Sequence, residues 1–432
     1  MALSEKTLAA YTQILKEELL PAMGCTEPIA IAYAAAILRR VLGEEPESIR
    51  LGLSGNIIKN VKSVIVPATG GMHGILATVS AGTVSGCPEK KLEVLSVLRP
   101  EQKAEIVAFS ERVQFDLYEM NTCRQFDLDI EGRAGENCAR VKIADRHTNV
   151  VLVERNGMDM TAQYLVEEEI DTEQTDRSCL NVEDILAYAD RVALEELEEL
   201  LERQLACNMA IAKEGLNGNY SASIGKVLLA RCQNGENDVR IRARAYAAAG
   251  SDARMGGCEM PVCILSGSGN QGITASVPIA VYAEHYGIDR ERTLRALIVS
   301  DLITVHQKTG IGCLSAYCGA ISAGCGCGCG ICYLLGGGYY EVAHTLVNSV
   351  AVLSGTICDG AKASCAAKIA MAVEAGIMGY EMTLLHKQFY GGDGIVTKGV
   401  ENTIKNVGRL ARDGMSETDR EIIRIMLEES GT

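Results

Sequence analysis

Ile49-Arg50-Leu51-Gly52-Leu53 marks the place where the texture of the chain changes. Upstream, Leu8, Tyr11, Ile14, Leu15 and Leu19 recur at helical spacing until Pro21 and Gly24 interrupt them. Residues 29–42 then form an Ala-rich second helix closed by Gly43. Downstream the period drops to two. Ser63-Val64-Ile65-Val66 reads as a short strand. Gln114-Phe115-Asp116-Leu117, Phe126-Asp127-Leu128-Asp129-Ile130 and Ala139-Arg140-Val141-Lys142-Ile143 alternate. Asn149-Val150-Val151-Leu152-Val153-Glu154 follows a turn at Asp145-Arg146-His147, which predicts a hairpin.

A helix over residues 100–112 interrupts the strands, so residues 47–176 read as an α/β region. Residues 183–208 read as one charged helix, and the pattern beyond is helical, broken by glycine loops. No linker separates the N-terminal helices from the rest. The expected class is α+β, with a mostly helical catalytic domain built from both chain ends, 1–46 and 177–432, and an inserted α/β domain, 47–176.

The chain has 432 residues, enough for two or three domains. Aromatic content is 4% with no Trp, so the core rests on Ala, Leu, Ile, Val and Met. A net charge of −15 repels phosphates and argues against nucleic acid as a partner. The N-terminus is amphipathic and carries acids throughout, unlike a signal peptide. The apolar stretch 316–338 is broken by glycines too often to read as a membrane span. A cytoplasmic protein that does not engage a membrane is expected, with a homodimer as the default assembly.

Seventeen cysteines in a long chain without a signal peptide do not suggest disulfides. Cys87, Cys123, Cys138, Cys179, Cys207, Cys232, Cys258 and Cys263 are scattered and read as thiols behaving as small hydrophobes. Cys358 and Cys365 are different, lying in Ser-Gly-Thr-Ile-Cys-Asp-Gly-Ala-Lys-Ala-Ser-Cys. On one continuous helix their thiols would stand roughly 10 Å apart, too far for one small cluster. The Asp359-Gly360 turn signal folds the segment back as a loop, and Cys318 in Ser-Ala-Tyr-Cys-Gly offers a third arm. The spacing alone is weaker than a ferredoxin run or a zinc CxxC pair.

Four stretches together carry a resemblance. They are Gly24-Cys25-Thr26-Glu27-Pro28, the approach 308–318, the Leu334-Leu335-Gly336-Gly337 step and Ile357-Cys358-Asp359-Gly360-Ala361-Lys362. In order, and over nearly the whole chain, they resemble the L-cysteine desulfidase family, which is related to the α-chain of the iron–sulfur L-serine dehydratases. The resemblance implies a [4Fe-4S] cluster held by Cys318, Cys358 and Cys365, with Cys25 as proton acceptor. Cys313, Cys325, Cys327, Cys329 and Cys332 depart from the family pattern and read as stand-ins for Ala and Ser in a tightly packed helix.

The implied reaction is α,β-elimination of L-cysteine to pyruvate, ammonia and hydrogen sulfide. An open iron is a Lewis acid that suits a carboxylate and a soft sulfur leaving group. A base must face the Cα proton, and Cys25 is the candidate, with Pro28 placed to open a helix just after it. Thr26 and Glu27 orient the base or bind substrate, or simply cap that helix. Asn56, Lys59, Thr69 and Asn270, in glycine-containing polar loops, are further candidates for the substrate's amino and carboxylate ends. Those glycines equally serve turns. His306 on an apolar helix reads as a satisfied core histidine.

Three rivals stand beside this reading. L-Serine presents the same α-amino carboxylate. Ser266-Gly267-Ser268-Gly269-Asn270-Gln271-Gly272 is similar to the phosphate loop of pyridoxal-phosphate dehydratases, but the expected lysine surroundings and βα alternation are missing. A non-enzymatic iron–sulfur sensor or carrier would ordinarily close its cluster with four ligands.

Overall fold

The computed structural model describes residues 3–122, 124–166, 175–220, 222–230, 238–312 and 315–428. Cys123, Cys232 and Cys313 lie outside the described residues. The chain opens with helix α1 (Glu5–Glu18), capped by the Ser4 hydroxyl, which accepts from the Thr7 amide. Strand β1 (Pro21–Met23) and helix α2 (Thr26–Leu42) follow, and Gly43 closes α2 in the left-handed region. Next come β2 (Ser48–Leu53), α3 (Gly55–Val61), α4 (Gly74–Ser85) and α5 (Gln102–Arg112). Strands β3 (Gln114–Glu119), β4 (Asp127–Ala134), β5 (Asn137–Ala144), β6 (Val150–Arg155) and β7 (Met158–Asp159) complete a sheet of order β3-β2-β4-β5-β6-β7. Its β2–β3 pair is parallel and every other pair antiparallel.

The remainder is helical. It comprises α6 (Thr161–Val166), α7 (Val182–Arg191), α8 (Glu198–Asn217), α9 (Ile224–Ala230) and α10 (Val239–Met255), then the short strand β8 (Pro261–Cys263). Helices α11 (Gly269–Tyr286), α12 (Arg290–Ile311), α13 (Gly319–Leu334), α14 (Tyr339–Leu353), α15 (Ser364–Leu384), α16 (Val400–Arg409) and α17 (Ser416–Glu428) follow. The class is mixed α+β. Among the described residues no helix is long and apolar enough to cross a membrane.

Two sequence expectations are corrected here. Ser63-Val64-Ile65-Val66 is not a strand but a loop, whose Ile65 makes a single bridge to His73. Val64 and Val66 are buried, and burial alone explains an apolar run of that length. Residues 183–208 are not one helix. The chain breaks after α7 and re-enters α8 through a short 3-10 turn, Leu194–Glu196, with Leu197 fully buried as its anchor.

Close packing follows from small residues. Helix α2 is buried on every side over residues 29–38. A Cβ at Gly82 of α4 would lie 2.3 Å from the Ala32 carbonyl oxygen, so the two backbones touch. Helix α13 repeats the device on two faces. Gly324 and Gly328 meet Ala372 and Gly376 of α15, while Gly326 and Gly330 meet Thr304 and Ala296 of α12. The alternating Gly-Cys run thus gives backbone contact on two sides and fills the rest with thiols. Cys325, Cys327, Cys329 and Cys332 are all buried, and burial pushes Cys325 and Cys332 up to about 12. Thiols so placed are inert packing groups.

The two-stranded ladder positions the site. Strand β1 pairs antiparallel with β8, matching Pro21 to Cys263 and Met23 to Pro261. That short ladder brings the turn after β1, which carries Cys25, beside the turn after β8, which opens α11.

Candidate active site

Four helix N-termini carry the candidate residues. Cys25 is the N-cap of α2, Ser268 the N-cap of α11 and Cys318 the N-cap of α13, and none of these side chains makes a capping hydrogen bond. Cys365 sits in the first turn of α15. Helix N-termini carry partial positive charge and free amides, and they favour thiolates and carboxylates.

The contacts are specific. The Thr26 hydroxyl is shared between the Gly267 carbonyl oxygen at 2.9 Å and Glu27 Oε2 at 3.1 Å. Asn60 Nδ2 donates to Glu27 Oε1 at 3.1 Å. His147, on the β5–β6 hairpin, brings Nε2 to 3.9 Å from Glu27 Oε1, an ionic contact rather than a hydrogen bond. Burial would raise the Glu27 carboxyl, but His147, its own backbone amide and Arg254 together hold it down to about 2. Glu27 is therefore ionised, with both oxygens bound within the protein.

Gly24 makes the turn before Cys25 at φ +75, packed on Pro67, and its carbonyl accepts from Arg254 Nε at 3.1 Å. Cys25 is buried, which pushes its thiol up to about 12. The Arg254 guanidinium opposes that push, while Glu27 and Cys365 reinforce it. Cys25 and Cys365 thus belong to one electrostatic neighbourhood.

The three remaining cysteines come from two segments. Tyr317 and Ile357 form an antiparallel bridge, with the Cys318 amide on the Thr356 carbonyl oxygen (3.0 Å) and the Cys358 amide on that of Ala316 (2.6 Å). Residues beside a bridged pair point to the opposite face from it. Cys318 and Cys358 therefore project to the same side. Gly360, at φ +96, turns the chain back, and a Cβ there would meet the Lys59 carbonyl oxygen at 2.3 Å. The loop then enters α15 with Cys365, whose thiol faces the Gly360 carbonyl oxygen at 3.6 Å. Burial pushes Cys318 up to about 12, with Cys358 and Cys365 adding to the effect. Burial and Cys358 likewise raise Cys365, against Lys368 and Arg254.

This donor set fits an iron–sulfur cluster. Among the described residues no three His, Cys, Asp or Glu side chains are gathered for a single metal ion. A cluster spreads its thiolates over several metal atoms and needs them farther apart than one ion does. Cysteine ligands give up their protons on binding metal. Burial raises Cys318 and Cys365, and Lys368, near both, and Arg254, near Cys365, oppose that rise.

Of the residues singled out in the sequence, the structure gathers Cys25, Thr26, Glu27, Asn270, Cys318, Cys358 and Cys365 in this region. Lys59 is buried and ion-paired to Asp419 of α17 at 2.5 Å. The Thr69 hydroxyl donates to the Val66 carbonyl oxygen. Asn56 lines a cavity of about 530 Å³ between α3, Glu119 to Thr122, Ser315-Ala316 and α17. His306 bonds Glu401 at 2.7 Å, as a satisfied histidine should. Arg254, His147 and Gln271 were not singled out. Arg254 did leave a signal, because it and Asp252 are the charges in the otherwise small and apolar run Ala247 to Met255.

Comparison with known proteins bears on the family of the chain. The family model described as "Serine dehydratase alpha chain" matches residues 89–424. A UPF0597 protein of Desulfitobacterium hafniense (strain Y51) is 51% identical over 429 residues, 99% of each chain. One from Treponema denticola is 43% identical over 431 residues, 99% of this chain and all of its own. One from Fusobacterium nucleatum is 41% identical over 426 residues, 98% of this chain and 99% of its own.

Proposed function

The chain belongs to the serine dehydratase alpha-chain family, and from that premise we propose that it is a [4Fe-4S]-dependent lyase acting on L-cysteine. The observation that carries the reading is the shared neighbourhood of Cys25 and Cys365, with Cys318 and Cys358 acting on Cys365 and on each other. Cys318, Cys358 and Cys365 would hold the cluster. When bound, it supplies one iron without a protein ligand, a Lewis acid for oxygen and sulfur atoms of a substrate.

Cys25 is the base in this proposal. Its thiolate takes the Cα proton, the Cβ–S bond breaks with its electron pair, and sulfide departs. The resulting aminoacrylate takes up water and yields pyruvate and ammonia. Burial makes the Cys25 thiolate rare at neutral pH, and the Arg254 cation and the α2 N-terminus raise its share. Thr26, Asn60 and Glu27 lock the turn that carries it. L-Serine is the second reading, favoured by the family's name, and it differs only in the leaving atom. We also propose that residues 47–176 are an inserted unit and that the protein is a cytoplasmic homodimer.

The test is anaerobic release of pyruvate from L-cysteine and L-serine by the wild type and Cys25→Ala. Activity lost in Cys25→Ala, with iron retained, supports the assignment. Wild-type activity that survives air but falls to carbonyl reagents would point to a pyridoxal-phosphate enzyme instead.

A further inference from the structure

We propose that Arg254, Asn270 and Gln271 form a cradle for a zwitterionic α-amino acid, the guanidinium taking the carboxylate and the two side-chain amides the ammonium. This deepens the lyase reading and rests on it for the identity of the substrate.

Arg254 stands in the last turn of α10 and is 4% exposed. Its Nε donates to the Gly24 carbonyl oxygen. Among the described residues no carboxylate lies within 4.0 Å of the guanidinium. Glu27 is near enough to feel its charge but does not bond it directly, and a buried guanidinium gains from a directly hydrogen-bonded anion. The α10 C-terminus supplies only partial negative charge. The two terminal nitrogens of a guanidinium form a fork that matches a carboxylate.

Helix α11 opens against the Arg254 guanidinium. A Cβ at Gly269 would come within 2.5 Å of Arg254 Nε and 2.9 Å of Cζ, so the guanidinium rests on the residue before Asn270. Asn270 Oδ1 and Gln271 Oε1 are both buried without a donor. Gln271 is 5% exposed, and its amide lies over Gly319, the residue after Cys318. A buried cation on α10 thus packs against the first turn of α11, whose Asn270 and Gln271 carry unmet acceptors. A plain amine or a plain carboxylic acid would satisfy one side only. An α-amino acid satisfies both. Because Arg254 also holds the carbonyl of Gly24, a carboxylate on the guanidinium lies one residue from Cys25.

The test uses the anaerobically purified holoprotein and L-alanine, which keeps both charged groups but has no leaving group. Ethylamine and propionate are the half-ligands. Calorimetry should give L-alanine binding that weakens about 10- to 100-fold in Arg254→Gln, the range for a charged hydrogen-bonded pair. Arg254→Lys keeps the charge and most of the packing, and it should weaken binding by several-fold if Arg254→Gln fails to fold. Gln271→Met should weaken L-alanine but leave propionate unchanged, and iron content should be unchanged in all three. Unaltered L-alanine binding in Arg254→Lys and Gln271→Met would overturn the cradle. So would loss of iron from Arg254→Lys with unaltered binding per remaining cluster, which would assign the guanidinium to the cluster. A wild type that binds L-alanine yet releases no pyruvate from L-cysteine or L-serine would sink the lyase reading and leave the cradle standing.

Discussion

Replacing Gly24 by alanine tests how tightly the Cys25 turn is held. Gly24 has φ +75, and an added Cβ would sit 2.3 Å from Pro67 Cγ and 3.1 Å from its Cδ. Two penalties follow. The left-handed backbone costs an L-residue roughly 1–2 kcal/mol, and forcing a methyl into a packed ring costs roughly 1–3 kcal/mol more. The sum is about 2–5 kcal/mol. Gly70 separates the two terms. Its φ is +78, it is exposed, and its Cβ would meet only the flexible Lys103 side chain at 3.7 Å. Gly70→Ala should therefore lose only the backbone part, about 1–2 kcal/mol. Anaerobic denaturant unfolding of both variants measures the difference. The activity of Gly24→Ala should fall further than its stability suggests, because a shift of about 1 Å at Cys25 can cost about a hundredfold in rate. If Gly24→Ala is no less stable than Gly70→Ala and fully active, the rigid turn is not what positions the base.

Two further outcomes follow from buried carboxyls. Glu27 is held near about 2 against an ordinary 4.5, so its contribution, at most about 3 kcal/mol, is present above pH 4.5 and lost as pH falls toward 2. Glu27→Gln should lower the melting temperature at pH 7, with the gap to wild type narrowing below pH 4.5; a gap that is constant with pH would contradict this. Asp301 is fully buried, bonded by Gln204, and burial pushes its carboxyl up to about 8 from 3.8. A carboxyl raised on folding stabilises least at high pH, so Asp301→Asn should gain stability relative to wild type as pH rises from 4 through 8. Thermal melts at several pH values check this, and parallel curves would refute it.

Local structure was legible wherever one pattern had one meaning. Alternation in the segments that became β3, β4, β5 and β6 marked them as strands, and the turn at Asp145-Arg146-His147 joined the last two. The Asp359-Gly360 signal correctly broke what spacing alone would have made a helix, and Gly360 takes φ +96 there. Ser63-Val64-Ile65-Val66 failed because a short apolar run fits any buried path. The break before Leu197 failed because neither Gly nor Pro marks it.

The site was half legible. Cys25, Thr26 and Glu27 stood in one motif, but their meeting with Asn270 depends on a three-residue ladder, β1 with β8, too short to show a period. Lys59 and Thr69 looked like ligands because polar residues beside glycines usually are exposed. Here Asp419 and the Val66 carbonyl oxygen take them up from within. Arg254 escaped notice because a charge in a helix that already carries several reads as a surface residue until its burial is known.

The most direct test of the account is iron and acid-labile sulfide per chain, with pyruvate release from L-cysteine, in anaerobic wild type and in Cys318→Ala, Cys358→Ala and Cys365→Ala. The account predicts a full [4Fe-4S] complement and activity in the wild type, abolished by air, with cluster and activity lost together in each variant. A Cys358→Ala protein that keeps its iron and its activity would contradict it.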